Sequence, residues 1–429
     1  MTAIAFDPFS DAHRVDPYPG YAELRRRAPV YRVERTGAYA VSRYADVAYV
    51  LRNPELFSSI AMQTALMSPI TTGTGGGVPG MGVSAAEAAR LGELLQKLPV
   101  PIGDVLASRS LIASDPPAHG PMRSLVNRGF TPRRISALEP RIREIARASL
   151  DAMAGKSEID LVAELSVPLP VTVIAELLGI EPERTADFKR WSDCIVAGST
   201  GAAGALRPET ILAAFAELSH YITGVIEARR AQPRDDLIST LTRAEQGETA
   251  LTPVETVMFS LLLLVAGNET TTNLLGNAML ALLAHPEQLA RVRRDPSRVP
   301  ALVEEALRYD GPVQLLFRQA TREVELGAVR IPAGALVMPL VGSANRDESQ
   351  FEDADRFDVS RSAQGHLAFG LGIHFCLGAS LARLEARVAL EELLARYARF
   401  ERVEPRAEYV DSIVIRGVRR LPLRVEAAG

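Results

Sequence analysis

Cysteine is scarce in this chain, whose 429 residues include only Cys194 and Cys376. A disulfide framework is therefore not indicated, and a reducing compartment such as the cytoplasm is the expected location.

An excess of charge of one sign is also missing. The chain has 48 Lys and Arg residues against 52 Asp and Glu residues, which leaves a net charge of −4. This balance argues against nucleic acid and an anionic membrane surface as partners. The most apolar run, at 258–266, is far shorter than the roughly 20 residues that span a bilayer. Residues 1–14 are polar and resemble neither a signal peptide nor an anchor, so we expect a soluble protein.

Apolar residues are plentiful, at 47% of the chain, which is ample for a large core. No Pro-rich or Gly/Ser-rich linker and no internal repeat divides the sequence, so we expect one domain over residues 1–429. Helical periodicity dominates, and we predict helices at 135–153, 209–230, 252–284, 299–309 and 379–397. Strands are fewer: a hairpin at 30–44, short strands at 318–341 and an extended segment at 413–425. The predicted fold class is mainly α with a small β region.

The predicted helix at 252–284 is the longest and has a strong start signal. Thr252 is a good N-cap, Pro253 suits the first helical position and Glu255 completes a capping box. Its middle, at 266–271, reads Ala-Gly-Asn-Glu-Thr-Thr, and a glycine there costs about 1 kcal/mol relative to alanine. A helix emerging into solvent is one explanation of these polar residues. A functional groove is the other.

Cys376 ends a glycine-rich loop, 369–378, that reads Phe-Gly-Leu-Gly-Ile-His-Phe-Cys-Leu-Gly. The predicted helix at 379–397 follows at once. A helix N-terminus favours thiolate over thiol, and a thiolate is a suitable ligand for haem iron. The absence of Cβ atoms at Gly370, Gly372 and Gly378 would let a flat macrocycle approach the backbone. A buried structural cysteine would explain the thiol, but it would leave the rest of the pattern unexplained.

The pattern Phe369, Gly372, His374, Cys376 and Gly378 resembles, without a gap, the cysteine loop of the cytochromes P-450, the haem-thiolate monooxygenases. Further motifs occur in the family's order. The segment 266–271 resembles the family's oxygen-pocket motif, and Glu305 and Arg308 match its Glu-x-x-Arg pair. The resemblance covers about residues 15–425 and implies the cytochrome P-450 fold, with its long central helix over a haem b.

The resemblance also implies roles for individual residues. Cys376 would be the axial iron ligand, and Glu269 and Thr270 would be the acid–alcohol pair that organises proton delivery. The haem propionates would be held by His119, Arg123, Arg318 and His374. Phe369, Gly370 and Gly378 would shape the cysteine loop around the cofactor. The other histidines, His13, His220, His285 and His366, have no such context, and we interpret them as ordinary.

Two further groups of residues follow from family position. Glu305 and Arg308 would form a structural ion pair, with Arg356 of the following segment locking onto it. The substrate pocket would be lined by largely apolar side chains, namely Leu262, Val265, Ala266, Val313, Leu315, Leu316, Ile413 and Val414.

The clearest departure from the family lies at 57–114, a connection about twice as long as is usual in bacterial members. It contains a glycine-rich stretch at 71–82 without the Gly-Lys-Ser/Thr ending of a phosphate-binding loop, and a short helix is predicted at 85–98. We interpret this distal loop region either as a mobile lid over the substrate pocket or as a surface insertion.

The implied activity is reductive activation of O2 and insertion of one oxygen atom into a largely apolar organic substrate. Electrons would come from a separate ferredoxin and ferredoxin reductase, or a flavodoxin. The partner would dock on a basic patch of Arg128, Arg133, Arg134, Arg383 and Arg387. Two alternatives stay open: a peroxygenase that takes H2O2 directly, and a non-enzymatic haem-thiolate sensor or carrier.

Overall fold

The computed structural model describes residues 4, 6–63, 102–199, 208–243 and 251–428. Within these ranges the first α-helices are α1 Asp11–Val15, α2 Tyr18–Arg27, α3 Tyr44–Arg52, α4 Ile102–Ala107, α5 His119–Asn127, α6 Pro132–Ala137, α7 Glu139–Ala152 and α8 Pro168–Leu178. The later ones are α9 Thr185–Ser199, α10 Pro208–Ala231, α11 Leu237–Thr242, α12 Pro253–Ala284, α13 Pro286–Arg294, α14 Val299–Asp310, α15 Val341–Ala344 and α16 Ala379–Arg396.

The strands form small sheets. They are β1 Val30–Arg32, β2 Tyr39–Val41, β3 Phe57–Ser58, β4 Glu158–Asp160, β5 Arg318–Ala320, β6 Val324–Leu326, β7 Val329–Ile331, β8 Leu336–Pro339, β9 Tyr397–Arg402 and β10 Pro422–Ala427. The largest sheet has the order β1-β2-β8-β5-β3, with β2 and β8 parallel. A second sheet, β4-β10-β9, is antiparallel, and β6 and β7 form a hairpin. The predicted fold class, mainly α with a small β region, is confirmed.

The predicted helices appear close to their expected bounds, with one difference. The stretch predicted as a single helix at 135–153 is divided into α6 and α7 at Leu138. Pro140 lies at the start of α7, where its missing N–H costs nothing, but it could not continue a helix arriving from α6. The predicted hairpin is present as β1 and β2, with Gly37 at φ +71° in the turn. Of the predicted extended segment at 413–425, only the end belongs to a strand, β10.

Helix α12 is the centre of the fold. It begins with the predicted capping box: Thr252 accepts from the Glu255 N–H, and the Glu255 carboxylate accepts from the Thr252 N–H. The helix packs against α8, α10, α14 and α16, and its apolar side chains join the largest core cluster. Gly267 lies where a Cβ would come within 2.8 Å of the Ile174 Cδ1 atom on α8. The glycine therefore permits α8 and α12 to pack closely.

Among the described residues, one helical stretch, Thr210–Ala231 in α10, is long and apolar enough to cross a membrane. It packs against α9, α11 and α12. The core helix of a soluble protein passes the same test. Most of the segment between 57 and 114, including the glycine-rich stretch and the helix predicted at 85–98, lies outside the described residues.

Candidate active site

The cysteine loop is a compact turn that ends on the first turn of α16. Residues Gly372–His374 form a 3₁₀ turn, and the Cys376 N–H donates to the Phe369 carbonyl at 2.8 Å. Gly370 and Gly372 have φ values of +70° and +74°, a region that glycine adopts without strain. A Cβ on Gly372 would lie 2.7 Å from the Leu51 carbonyl oxygen of α3, so this glycine is also required by close packing.

Cys376 faces a cavity of about 270 Å³ beneath α12. Thr270 and Ala266 of α12 line the same cavity, as do Phe369 and Gly378 of the cysteine loop. Most of the remaining lining is apolar and includes Met62, Leu111, Ile112, Phe130, Ile174, Phe259, Leu262, Leu263, Leu274, Val313, Leu316 and Val341. A Cβ built on Gly378 would meet nothing within 4 Å, so there is open space beside the thiol.

The environment of the Cys376 thiol differs from the one expected of a helix N-terminus. Burial raises the pKa of the thiol, and this effect outweighs the Gly378 N–H, Arg123 and Arg383, which lower it. The protein alone therefore favours the thiol, because removal from water costs more than the helix terminus returns. A bound metal ion would be needed to make the thiolate the stable form.

Four basic or hydrogen-bonding side chains converge on one side of the cavity. Arg123, Arg318 and His374 line it, and the His119 ring lies 4.5 Å from the His374 ring, centroid to centroid. Burial, followed by Arg318, His119 and Arg123, lowers the pKa of His374 to about 3, and burial lowers the pKa of Arg318 to about 10. The Nε2 atoms of both histidines are buried and have no hydrogen-bond partner within the protein.

This arrangement fits an anionic cofactor. Orphaned buried nitrogens and clustered guanidinium groups are costly unless a negatively charged ligand receives their hydrogen bonds. A haem carries two propionates of this kind, together with a flat apolar ring that suits the apolar walls and the open space beside the thiol. The described residues thus fit a haem bound by Cys376 on one side and by His119, Arg123, Arg318 and His374 at its edge.

Thr270 and Glu269 are adjacent in α12 but occupy different surroundings. The Thr270 hydroxyl lies in the cavity and donates to the Ala266 carbonyl at 2.6 Å. Glu269 is buried, does not line the cavity and makes no hydrogen bond with Thr270. Burial raises the pKa of Glu269 to about 8, so its carboxyl is mostly neutral at pH 7. The assigned pair is therefore adjacent in sequence but is not hydrogen-bonded here.

A second carboxyl, which the sequence analysis did not identify, does line the cavity. Glu385 lies on α16, interacts with the Thr271 hydroxyl of α12 and has one buried oxygen without a partner. Burial raises its pKa to about 8 despite the contact with Thr271. The only available signal was a glutamate on the apolar face of the helix that follows Cys376.

The predicted substrate-pocket residues divide into two groups. Leu262, Ala266, Val313 and Leu316 line the cavity. The other four do not: Leu315 is fully buried in a core cluster with Phe317 and Leu340, and Ile413 and Val414 pack against that cluster. Val265 is a half-buried residue of α12. Ile413 lines a separate, much smaller cavity of about 20 Å³. None of these four residues lines the cavity beneath α12, and their contact with a substrate stays a prediction.

The structural ion pair is present, but its third member is not the predicted arginine. Arg308 and Glu305 are fully buried and joined by two bonds of 2.8 Å. The Arg356 side chain is largely exposed and approaches Asp358, so only its carbonyl contacts Arg308, at 3.1 Å. The Arg361 side chain instead reaches Glu305 at 3.4 Å. The assignment of Arg356 was therefore wrong, because the turns after Asp353 direct Arg361 inward.

Comparison with known proteins agrees with this architecture. The family model described as Cytochrome P450 matches residues 209–414. Cytochrome P450 107B1 of Saccharopolyspora erythraea is 38% identical over 97% of this chain and 96% of its own length. The 6-deoxyerythronolide B hydroxylase of the same organism is 37% identical over 99% of this chain and 100% of its own.

Similarity extends to three dimensions. The solved structure of CYP109Q5 from Chondromyces apiculatus superposes with a TM-score of 0.84 at 45% identity, and it covers 99% of this chain and 100% of its own. Identity of this extent over the whole length establishes the family and, with it, a haem cofactor. The chain belongs to the cytochrome P450 family and is an enzyme of its monooxygenase class.

Proposed function

We propose that this monooxygenase hydroxylates or epoxidises a largely apolar small molecule, with haem b as its cofactor and O2 as its oxidant. The observation that carries the proposal is that Cys376 and Thr270 share one apolar cavity. The Cys376 thiol without the Thr270 hydroxyl in the same cavity would suit a haem carrier. The hydroxyl without the thiol would suit many other kinds of enzyme. The whole chain, 1–429, would act as one catalytic domain with 57–114 as its distal loop region.

Each side chain around the cavity has a distinct part in this proposal. Cys376 ligates the iron, while His119, Arg123, Arg318 and His374 hold the propionates. When bound, the haem supplies the activation of O2 and the transfer of an oxygen atom. Thr270 orders a proton path on the distal side, and the neutral carboxyl of Glu269, which lies outside the cavity, would have to turn towards Thr270 to replenish it.

The substrate is proposed to be largely apolar and of the kind handled in secondary metabolism. Leu262, Ala266, Val313 and Leu316 present hydrocarbon to the cavity, and such a surface binds ligands mainly by excluding water. The name of the hydroxylase from Saccharopolyspora erythraea indicates a related protein that acts on 6-deoxyerythronolide B. We therefore expect apolar small molecules of the 6-deoxyerythronolide B kind to be the useful class to screen first.

Electrons are proposed to come from a cytoplasmic ferredoxin and ferredoxin reductase, or a flavodoxin, docking near Cys376. Several arginines of the expected patch already have acidic partners: Arg134 pairs with Asp235, Arg383 with Glu304, and Arg387 with Glu139 and Glu391. These pairs weaken the positive potential, so electrostatic steering by salt-sensitive contacts should be modest.

Turnover assays separate the proposal from its two alternatives. The purified holoenzyme should oxidise an apolar substrate with NAD(P)H, a ferredoxin and its reductase. A peroxygenase would instead work efficiently with H2O2 alone, and a sensor would turn over with neither.

Reduced protein under CO should show the red-shifted Soret band of thiolate ligation. Cys376→Ser should lose this band and the matched variant Cys194→Ser should keep it; the opposite pattern would overturn the ligand assignment.

A further inference from the structure

One carboxylate outside the cavity connects three parts of the molecule. Glu304 of α14 lies immediately before the buried Glu305 and accepts hydrogen bonds from two directions. Arg383 of α16 approaches it with two guanidinium nitrogens, at 2.6 and 3.0 Å. His366, which precedes the cysteine loop, lies with its Nε2 atom 3.0 Å from the Glu304 Oε2 atom.

The hydrogen bonds fix the tautomer of His366. Its Nδ1 atom accepts the Ala368 N–H at 3.2 Å, so the ring proton lies on Nε2 and is donated to Glu304. The His366 side chain is 3% exposed and the Glu304 side chain 32%, so the ring end of this bond is buried. The histidine that the sequence analysis interpreted as ordinary therefore holds the start of the cysteine loop to α14.

Arg383, on the helix that follows the loop, makes a second connection to the start of the loop. Its guanidinium lies over the Phe369 ring, 4.4 Å from the ring centroid. The Phe369 carbonyl in turn accepts the Cys376 N–H at 2.8 Å. Burial opposes ionisation of Glu304, but the bonds from His366 and Arg383 win and lower its pKa to about 2. The carboxylate is thus charged under all ordinary conditions, and a contiguous path of contacts runs from Glu304 to the Cys376 backbone.

We propose that Glu304 is a positioning residue, which through Arg383 and His366 holds Phe369 and the Cys376 backbone in the geometry that keeps the sulfur on the iron. This inference rests on the proposed function only in taking Cys376 as the iron ligand. The stacking of the Arg383 guanidinium on the Phe369 ring is essential to this positioning role. A guanidinium that contacts both a carboxylate and an aromatic face has little freedom to move.

The test compares two charge-removing variants of the holoenzyme. Glu304→Gln keeps the shape of the side chain but replaces one accepting oxygen with an amide N–H₂ group, which then faces the donors of Arg383 and His366. Glu391→Gln is the matched control: Glu391 also accepts from two arginines, Arg143 and Arg387, at 2.8 and 3.1 Å, but these contacts join α7 to α16 and do not reach the cysteine loop. The measurements are the fraction of the thiolate CO band that is lost with time and the reduction potential of the iron.

We expect Glu304→Gln to lose the thiolate band severalfold faster than wild type and to have a more positive potential, since the Arg383 charge, which acts on the Cys376 sulfur, is then uncompensated. Glu391→Gln should match wild type in both. Arg383→Lys keeps the charge but loses the planar guanidinium, so it should lose the band at an intermediate rate. This variant replaces Glu304→Gln in the test if Glu304→Gln does not fold.

Equal behaviour of Glu304→Gln and Glu391→Gln would overturn the inference. So would an Arg383→Lys variant that loses the band no faster than wild type, because the stacked guanidinium would then be unnecessary. If wild-type protein itself lacks the thiolate band, the proposed function fails and the inference fails with it. The two failures are therefore distinguishable.

Discussion

Thr270 offers the sharpest single-residue experiment because it changes the distal side of the cavity without touching Cys376. Its hydroxyl donates to Ala266 within the helix and is free to turn towards a ligand or water. Thr270→Ala should therefore leave haem content and substrate binding unchanged while product formed per NAD(P)H falls severalfold and H2O2 rises. Both products are measured in the same reaction.

A hydroxyl elsewhere on the same helix provides the control for Thr270. Thr256 makes the equivalent bond to the Thr252 carbonyl, at 3.0 Å, but it is buried away from the cavity. Thr256→Ala should remain coupled. Full coupling in Thr270→Ala would exclude this hydroxyl from proton delivery, and uncoupling in both variants would indicate a disturbed helix instead.

At the scale of elements, an ion pair links the described part of the distal segment, which begins at α4, to the start of α12. Arg109 contacts Glu255 at 2.5 and 3.1 Å, and Glu255 is also the capping-box residue of α12. Leu111 and Ile112, which line the cavity, lie a few residues further along. The pair therefore controls how firmly this wall of the cavity is held.

Arg109→Gln should weaken substrate binding about fivefold, or ~1 kcal/mol, because Leu111 and Ile112 lose their anchor. The measurement is a titration of the substrate-induced spin-state change, with the CO band as a check that the cysteine side is intact. Arg141→Gln is the control, since Arg141 makes a similar two-pronged pair with Glu176 away from the cavity. Unchanged affinity for every substrate that binds wild type would contradict this role for the ion pair.

For the whole molecule, two buried carboxyls should make the free energy of unfolding fall as the pH rises. Burial raises the pKa of Glu269 and Glu385 from 4.5 to about 8. The folded state therefore binds more protons than the unfolded state between these values. The contribution of these groups to stability is complete below about pH 4.5 and is lost as the pH rises through about 8.

Glu385→Gln should accordingly raise the thermal midpoint of the holoenzyme relative to wild type as the pH increases, by a few degrees at pH 9 and little at pH 5. The exposed carboxyl of Glu401, on β9, supplies the comparison through Glu401→Gln, which should show no such trend. A difference between Glu385→Gln and wild type that is the same at both pH values would mean that the carboxyl is already charged in the folded protein.

Much of the fold was predictable because the relevant signals are local. The capping box of α12, the 3.6-residue periodicity of α10, α14 and α16, and the cysteine loop depend on residues close together in sequence. The same is true of Glu305 and Arg308, one helical turn apart. The sequence by itself therefore determined the fold class, the family resemblance, the candidate thiolate ligand and most residues around it.

The tertiary structure decided what depends on distant partners. Arg361 rather than Arg356 reaches Glu305 because the intervening turns set the direction of each side chain. His366 acquires its role only from Glu304, 62 positions earlier in the chain. The carboxyls of Glu269 and Glu385 have raised pKa values because many residues together exclude water from them. Burial is a property of the assembled fold, so the sequence could point to Glu269 but not to Glu385, and it could determine the protonation of neither.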